Sequence, residues 1–101
     1  MEKRVAHSHL IARVLASDLV MTDDERAFLE DTMERLGLTD EERDQVLHFE
    51  NSGDAEAVMR ELPEEDRQAL LDDLVQAALA DGRLNPLETD LIKSIAKELG
   101  L

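Results

Sequence analysis

The sequence predicts an all-α domain: a compact array of about six helices, in two pseudo-twofold-related halves around a central helix. Three observations carry this. Helix-start signatures of the Thr/Asn-x-x-Glu kind occur at Thr22, Thr39 and Asn85, each pairing a cap with a Glu that reaches back to it. Residues 17–38, SDLVMTDDERAFLEDTMERLGL, return in blurred form 63 positions later, so that Asp18 falls on Asp81, Glu25 on Glu88 and Leu36-Gly37-Leu38 on Leu99-Gly100-Leu101. Finally, the apolar residues are mostly Leu, Ala, Val and Ile with only Phe28 and Phe49 as aromatics, a palette for helix packing rather than for strands.

Each element follows in order. Residues 3–18 show helical spacing, with Leu10, Ile11, Val14 and Leu15 on one face. Thr22 caps the second helix, and Asp23, Asp24 and Glu25 complement its dipole. Phe28, Leu29, Thr32, Met33 and Leu36 make its inward stripe, and Gly37 supplies a left-handed stop. Thr39 opens a short helix with Val46, Leu47 and Phe49, closed by the turn signal Asn51-Ser-Gly53. Asp54 is expected to cap another, with Ala57, Val58 and Leu62 inward, and Pro63 to open a longer one. That helix, residues 64–80, grows steadily more apolar and is expected to be the central, most buried one. Asn85-Pro86-Leu87-Glu88 starts the last, whose stripe is Leu91, Ile92, Ile95, Ala96 and Leu99. The chain reads as a single domain over residues 1–101, with no Pro/Ser-rich linker dividing it.

Charge narrows the function. With 25 acidic against 11 basic residues the net charge is −14, which repels phosphate backbones and anionic lipid. Nucleic-acid binding is therefore set aside. No apolar run approaches the ~20 residues that span a bilayer, so direct membrane insertion is set aside too. His and Arg interrupt the apolar part of the N-terminal segment, which argues against a signal peptide and leaves the cytoplasm as the default location. Cysteine is absent, which removes thiol chemistry.

One segment has the look of a site. Asp81-Gly82-x-Leu84-x-x-x-Glu88 matches the back half of an EF-hand loop, but the front positions fall on Ala77 and Leu79, which offer no side-chain oxygen. An EF-hand is rejected. Glu88 and Glu25 are where a capping box wants glutamate, and Gly82 suits a turn. Asp81, near a helix C-terminus, opposes the dipole and finds its simplest role in turn hydrogen bonds. The alternative makes Asp18, Glu25, Asp81 and Glu88 the oxygen ligands of a calcium or magnesium ion. Hard ions suit such a set better than zinc, for which no Cys and no paired His is present. His7 and His9 fall on different faces of one helix, and His48 lies between Leu47 and Phe49. No nucleophile–base constellation or phosphate loop is recognisable, so an enzyme is not expected.

The segment Ala80-Asp81-Gly82-Arg83-Leu84-Asn85-Pro86-Leu87-Glu88, its half-copy around Asp18 and Glu25, the closing Leu99-Gly100-Leu101 and the middle Leu62-Pro63-Glu64-Glu65 resemble the TerB-like family. That family takes in tellurite-resistance TerB proteins and the N-terminal region of certain membrane-anchored DnaJ-like co-chaperones. The resemblance covers nearly the whole chain. It implies an all-helical fold with pseudo-twofold symmetry and a link to tellurite or metal stress. Leu19 stands where the motif has Gly, a departure from a symmetric two-site arrangement. The functional expectation is a non-enzymatic acidic interaction domain in a stress response. Its expected partner is a protein, a second copy of the chain among the candidates.

Overall fold

A computed structural model of the chain describes residues 2–17, 21–47, 52–79 and 86–101, the side chains of residues 52 and 53 excepted. Among the described residues there are six α-helices: α1 (Lys3–Leu15), α2 (Asp23–Arg35), α3 (Asp40–Val46), α4 (Ser52–Arg60), α5 (Glu64–Ala78) and α6 (Pro86–Glu98). No strand occurs among the described residues. The all-α prediction and its helix count are correct.

The local signals act where the sequence placed them. Thr22 and Thr39 each accept a hydrogen bond from the third helical N–H, while Glu25 and Glu42 accept one from the N–H of their cap. Pro86 is the first residue of α6, where a missing N–H costs nothing. Gly37 and Gly100 end α2 and α6 at φ of 72° and 75°. In each case the following leucine N–H returns to the carbonyl five residues back: Leu38 to Met33 at 3.1 Å and Leu101 to Ala96 at 2.9 Å. These are Schellman closures, which need a residue tolerant of left-handed φ.

The centre of the fold is not where the sequence put it. Nine of the thirteen residues of α1 are buried, against four of the fifteen in α5. Helix α1 packs against α2, α3, α4, α5 and α6. The reason is the chemistry of the polar positions. In α1 the positions facing inward are filled by Val5, Ala6, Leu10, Ile11, Ala12, Val14 and Leu15, with Ser8 and His9 also fully enclosed. In α5 the carboxylates Asp72 and Asp73 keep a flank of the helix at the surface, because an ionised group is far costlier to bury than a neutral one.

Two smaller expectations also change. Helix α4 starts at Ser52 rather than after a cap at Asp54, so Asp54 lies in its first turn. Ala55 and Met59, four apart, therefore point inward and Ala57 is exposed. Helix α3 ends at Val46, leaving Leu47 half exposed. His48 and Phe49 lie outside the described residues.

The 63-residue repeat is visible as a structural unit. Helices α2 and α6 have the same length and begin and end 63 positions apart. Each packs on both α1 and α5. Two helical hairpins, α1–α2 and α5–α6, thus share one core, with α3 and α4 inserted between them in sequence.

Candidate functional site

The repeated loop-to-helix segments are the natural place to look, and two of their four predicted carboxylates are placed. Glu25 and Glu88 stand at the third position of α2 and α6 and are 2% and 3% exposed. Asp18 and Asp81, with Leu19 and Gly82, lie outside the described residues. The structure therefore places half of the set of four.

Burial separates these glutamates from an ordinary capping residue. Glu42 occupies the same box position in α3, yet its side chain is 19% exposed and its Oε2 accepts from Arg4 Nη2 at 3.3 Å. The hydrogen bond from Thr39 N–H, then the nearby Arg4 charge, hold its carboxyl below the ordinary glutamate range. In Glu25, Oε1 accepts from Thr22 N at 3.0 Å, which completes the cap. Its Oε2 is shielded from solvent and has no hydrogen-bond partner. A buried acceptor left unmade costs on the order of 1–3 kcal/mol, so the cap alone does not explain why this carboxylate is inside. Among the described residues, no three His, Asp or Glu side chains converge as a metal-holding group.

Two surface clefts adjoin polar groups that tie helices together. One of about 240 Å³ is bordered by Lys3, Arg4, His7, Leu36, Met59 and Asp66, among others. Another of about 270 Å³ lies over Phe28, Arg35 and Asp73. Asp73 Oδ2 joins the two: it meets His7 Nε2 at 2.7 Å and accepts from Arg35 Nη2 at 3.1 Å. His9 is fully enclosed in the core. The two histidines do face different ways, as their spacing requires.

A pair of arginines escaped the sequence reading. Arg4 Nη1 donates to the Leu36 carbonyl at 3.0 Å and to the Gly37 carbonyl at 3.3 Å. Arg67 Nη1 donates to the Leu99 carbonyl at 2.6 Å. Both arginines and both carbonyls are 63 residues apart. Each guanidinium stands against the C-terminal end of the hairpin's second helix, where a cation complements the dipole and satisfies an orphan carbonyl. The signal was available: extending the repeat backwards pairs Arg4 with Arg67 and Ala6 with Ala69.

The exposed apolar side chains form a last feature. Val75 on α5 and Leu79 at its C-cap are four residues apart, and Leu87 lies in the first turn of α6; they are 44%, 48% and 57% exposed. They flank in sequence the segment 80–85. No helix among the described residues is long and apolar enough to cross a membrane.

The family model described as Tellurite resistance protein TerB matches residues 4–101. No curated protein matches the chain, and no solved structure does.

Proposed function

The chain belongs to the TerB family, and from that premise we propose that it is a non-enzymatic, acidic helical domain that docks a protein partner in the cytoplasmic response to tellurite or metal stress. The observation that carries the proposal is the exposed apolar trio Val75, Leu79 and Leu87 on a body of net charge −14. Val75 and Leu79 share one helix face, and apolar side chains grouped on a polar surface are the usual mark of a contact surface. Catalysis finds less support, because the cleft-lining Arg4, His7 and Arg35 are engaged in holding helices together. The test is affinity capture from host cells challenged with tellurite, using wild type and a Val75→Ser/Leu79→Ser double variant. A partner recovered by the first and lost by the second is expected. Equal recovery by both contradicts the proposal.

Glu25 favours a second reading, in which the repeated loops bind calcium or magnesium. Its enclosed, unpartnered Oε2 is a carboxyl oxygen with spare coordinating capacity. Asp18 and Asp81 are the sequence's candidates to complete the oxygen set. Calorimetric titration in ~150 mM monovalent salt, where exposed charges are substantially screened, separates coordination from diffuse attraction. Saturable heat lost in Glu25→Gln supports the ion site, and a flat titration removes it.

A further inference from the structure

Helix α5 carries its buried residues Leu70, Leu74, Ala77 and Ala78 on one side. On the opposite side Glu65, Gln68, Asp72 and Val75, with Leu79 at the C-cap, alternate spacings of three and four and are all exposed. That spacing lines side chains up along a helix, here over roughly 21 Å at the helical rise. It is also the spacing with which one helix presents itself to another. The line changes character along its length. Its first half is acidic and borders an open cleft of about 440 Å³ formed by Glu64, Glu65, Gln68, Ala69 and Asp72. Its second half is Val75 and Leu79, 44% and 48% exposed. The carboxylates of the first half are also set apart by their partners. Asp73, on the inner flank, is held by His7 and Arg35, and Glu2, Glu42, Glu56 and Glu98 each meet an arginine. Among the described residues Glu64, Glu65 and Asp72 meet no basic side chain, and Asp72 accepts only from Gln68 Nε2 at 3.2 Å.

We propose that this face of α5 docks a basic amphipathic helix of a partner protein, packed antiparallel, with its apolar side chains on Val75 and Leu79 and its Lys or Arg side chains over Asp72, Gln68 and Glu65. The inference rests on the reading of Val75 and Leu79 as a contact surface and adds the partner's chemistry to it. Complementary charge selects the sign of the partner. Helix dipoles select its direction. The first turn of α5, with Glu64, Glu65 and Asp66, suits the C-terminal end of a neighbouring helix, where Lys and Arg are themselves favoured. The partner's apolar residues then belong to its N-terminal half. A second copy of the chain is a poorer occupant. Parallel pairing of α5 with its copy sets acid on acid, and antiparallel pairing in register sets Leu79 against Glu65 and the two Asp72 against each other.

The probe is an N-acetylated, C-amidated peptide, AQLAQLAQAKAQKAAQRA, titrated into the isotope-labelled full chain while amide resonances are followed. Its leucines and cations repeat the spacing of the α5 line in antiparallel order. Saturable shifts at Glu65, Gln68, Asp72, Val75 and Leu79 are expected, with a dissociation constant on the order of 0.1–1 mM for one short helix. The acidic counterpart AQLAQLAQAEAQEAAQEA should bind at least about tenfold more weakly, because like charges then face each other. The swapped peptide AQRAQKAQAKAQLAAQLA can match the charges only in parallel, against the dipoles, and should bind about threefold more weakly. The Val75→Ser/Leu79→Ser chain should lose the response, and the Glu65→Gln/Asp72→Asn chain should lose most of its preference for the basic peptide. No shift along this line up to ~2 mM basic peptide overturns the inference, as does swapped-peptide binding equal to or tighter than that of the first. Equal shifts at Val75 and Leu79 from basic and acidic peptides overturn the basic partner and leave the apolar contact surface standing. Undiminished binding to the Val75→Ser/Leu79→Ser chain contradicts the contact surface itself. Shifts along the line that grow with chain concentration in the absence of peptide assign the face to a second copy and also overturn the inference.

Discussion

Replacing Ile11 by Ala tests the assignment of α1 as the hub. Ile11 is fully enclosed, on the helix that packs against all five others. Truncation removes three carbons from a fully enclosed site, which places the loss in the usual ~2–5 kcal/mol range for such changes. An unfolding entropy of ~2.1 cal/mol/K per residue gives about 0.2 kcal/mol/K for a chain of 101 residues. The Tm should then fall by about 10–25 °C. Its repeat counterpart, Leu74→Ala on α5, is equally enclosed and belongs in the same range. Val75→Ser, one residue on but half exposed, should move Tm by no more than ~2 °C. Thermal and urea unfolding followed by far-UV circular dichroism measure all three. A loss below ~1 kcal/mol for Ile11→Ala, or one no larger than that of Val75→Ser, would refute α1 as the centre.

Three further outcomes follow from the caps and stops. Gly37→Ala and Gly100→Ala should each cost ~1–2 kcal/mol by urea unfolding, since a Cβ would meet Arg4 or Arg67 Nη1 only at 3.7 or 3.5 Å and the strain is left to the backbone; a neutral effect at either site contradicts its left-handed geometry. Glu42 has its carboxyl lowered by the Thr39 N–H and by Arg4. Its stabilisation is therefore present above the ordinary glutamate range and lost as pH falls through its lowered value. The stability difference between wild type and Glu42→Ala should accordingly be larger at pH 7 than at pH 2.5, and a gap that widens on acidification reverses the sign. Arg35→Ala frees one partner of Asp73 at an exposed pair, and a change within ~1 kcal/mol is expected from chemical denaturation.

Local structure was legible because its causes are local. Thr22, Thr39, Pro86, Gly37 and Gly100 act through groups within five residues, and every one sits where its chemistry asked. Centrality was not, because it depends on what surrounds a helix. The rising apolar run of α5 pointed to the core, yet Val75 and Leu79 remain at the surface, while His9 in α1 is enclosed. Arg4 and Arg67 were hidden by divergence: His7, Ser8 and His9 stand opposite Leu70, Leu71 and Asp72, so the repeat fades before it reaches them. At the candidate site the capping role of Glu25 was readable and its burial was not. Glu42 has the same motif and remains partly exposed, so the motif cannot report what packs over it.

The central proposal is that the chain acts in tellurite or metal stress through an exposed apolar surface rather than a catalytic centre. The most direct measurement is growth of the host under graded tellurite with the gene intact, deleted, or replaced by the Val75→Ser/Leu79→Ser form. The expected result is that the double variant is as sensitive as the deletion while its purified protein keeps the helical spectrum and Tm of wild type. Full tolerance from the double variant, or a deletion that tolerates tellurite as well as the intact strain, would contradict the account.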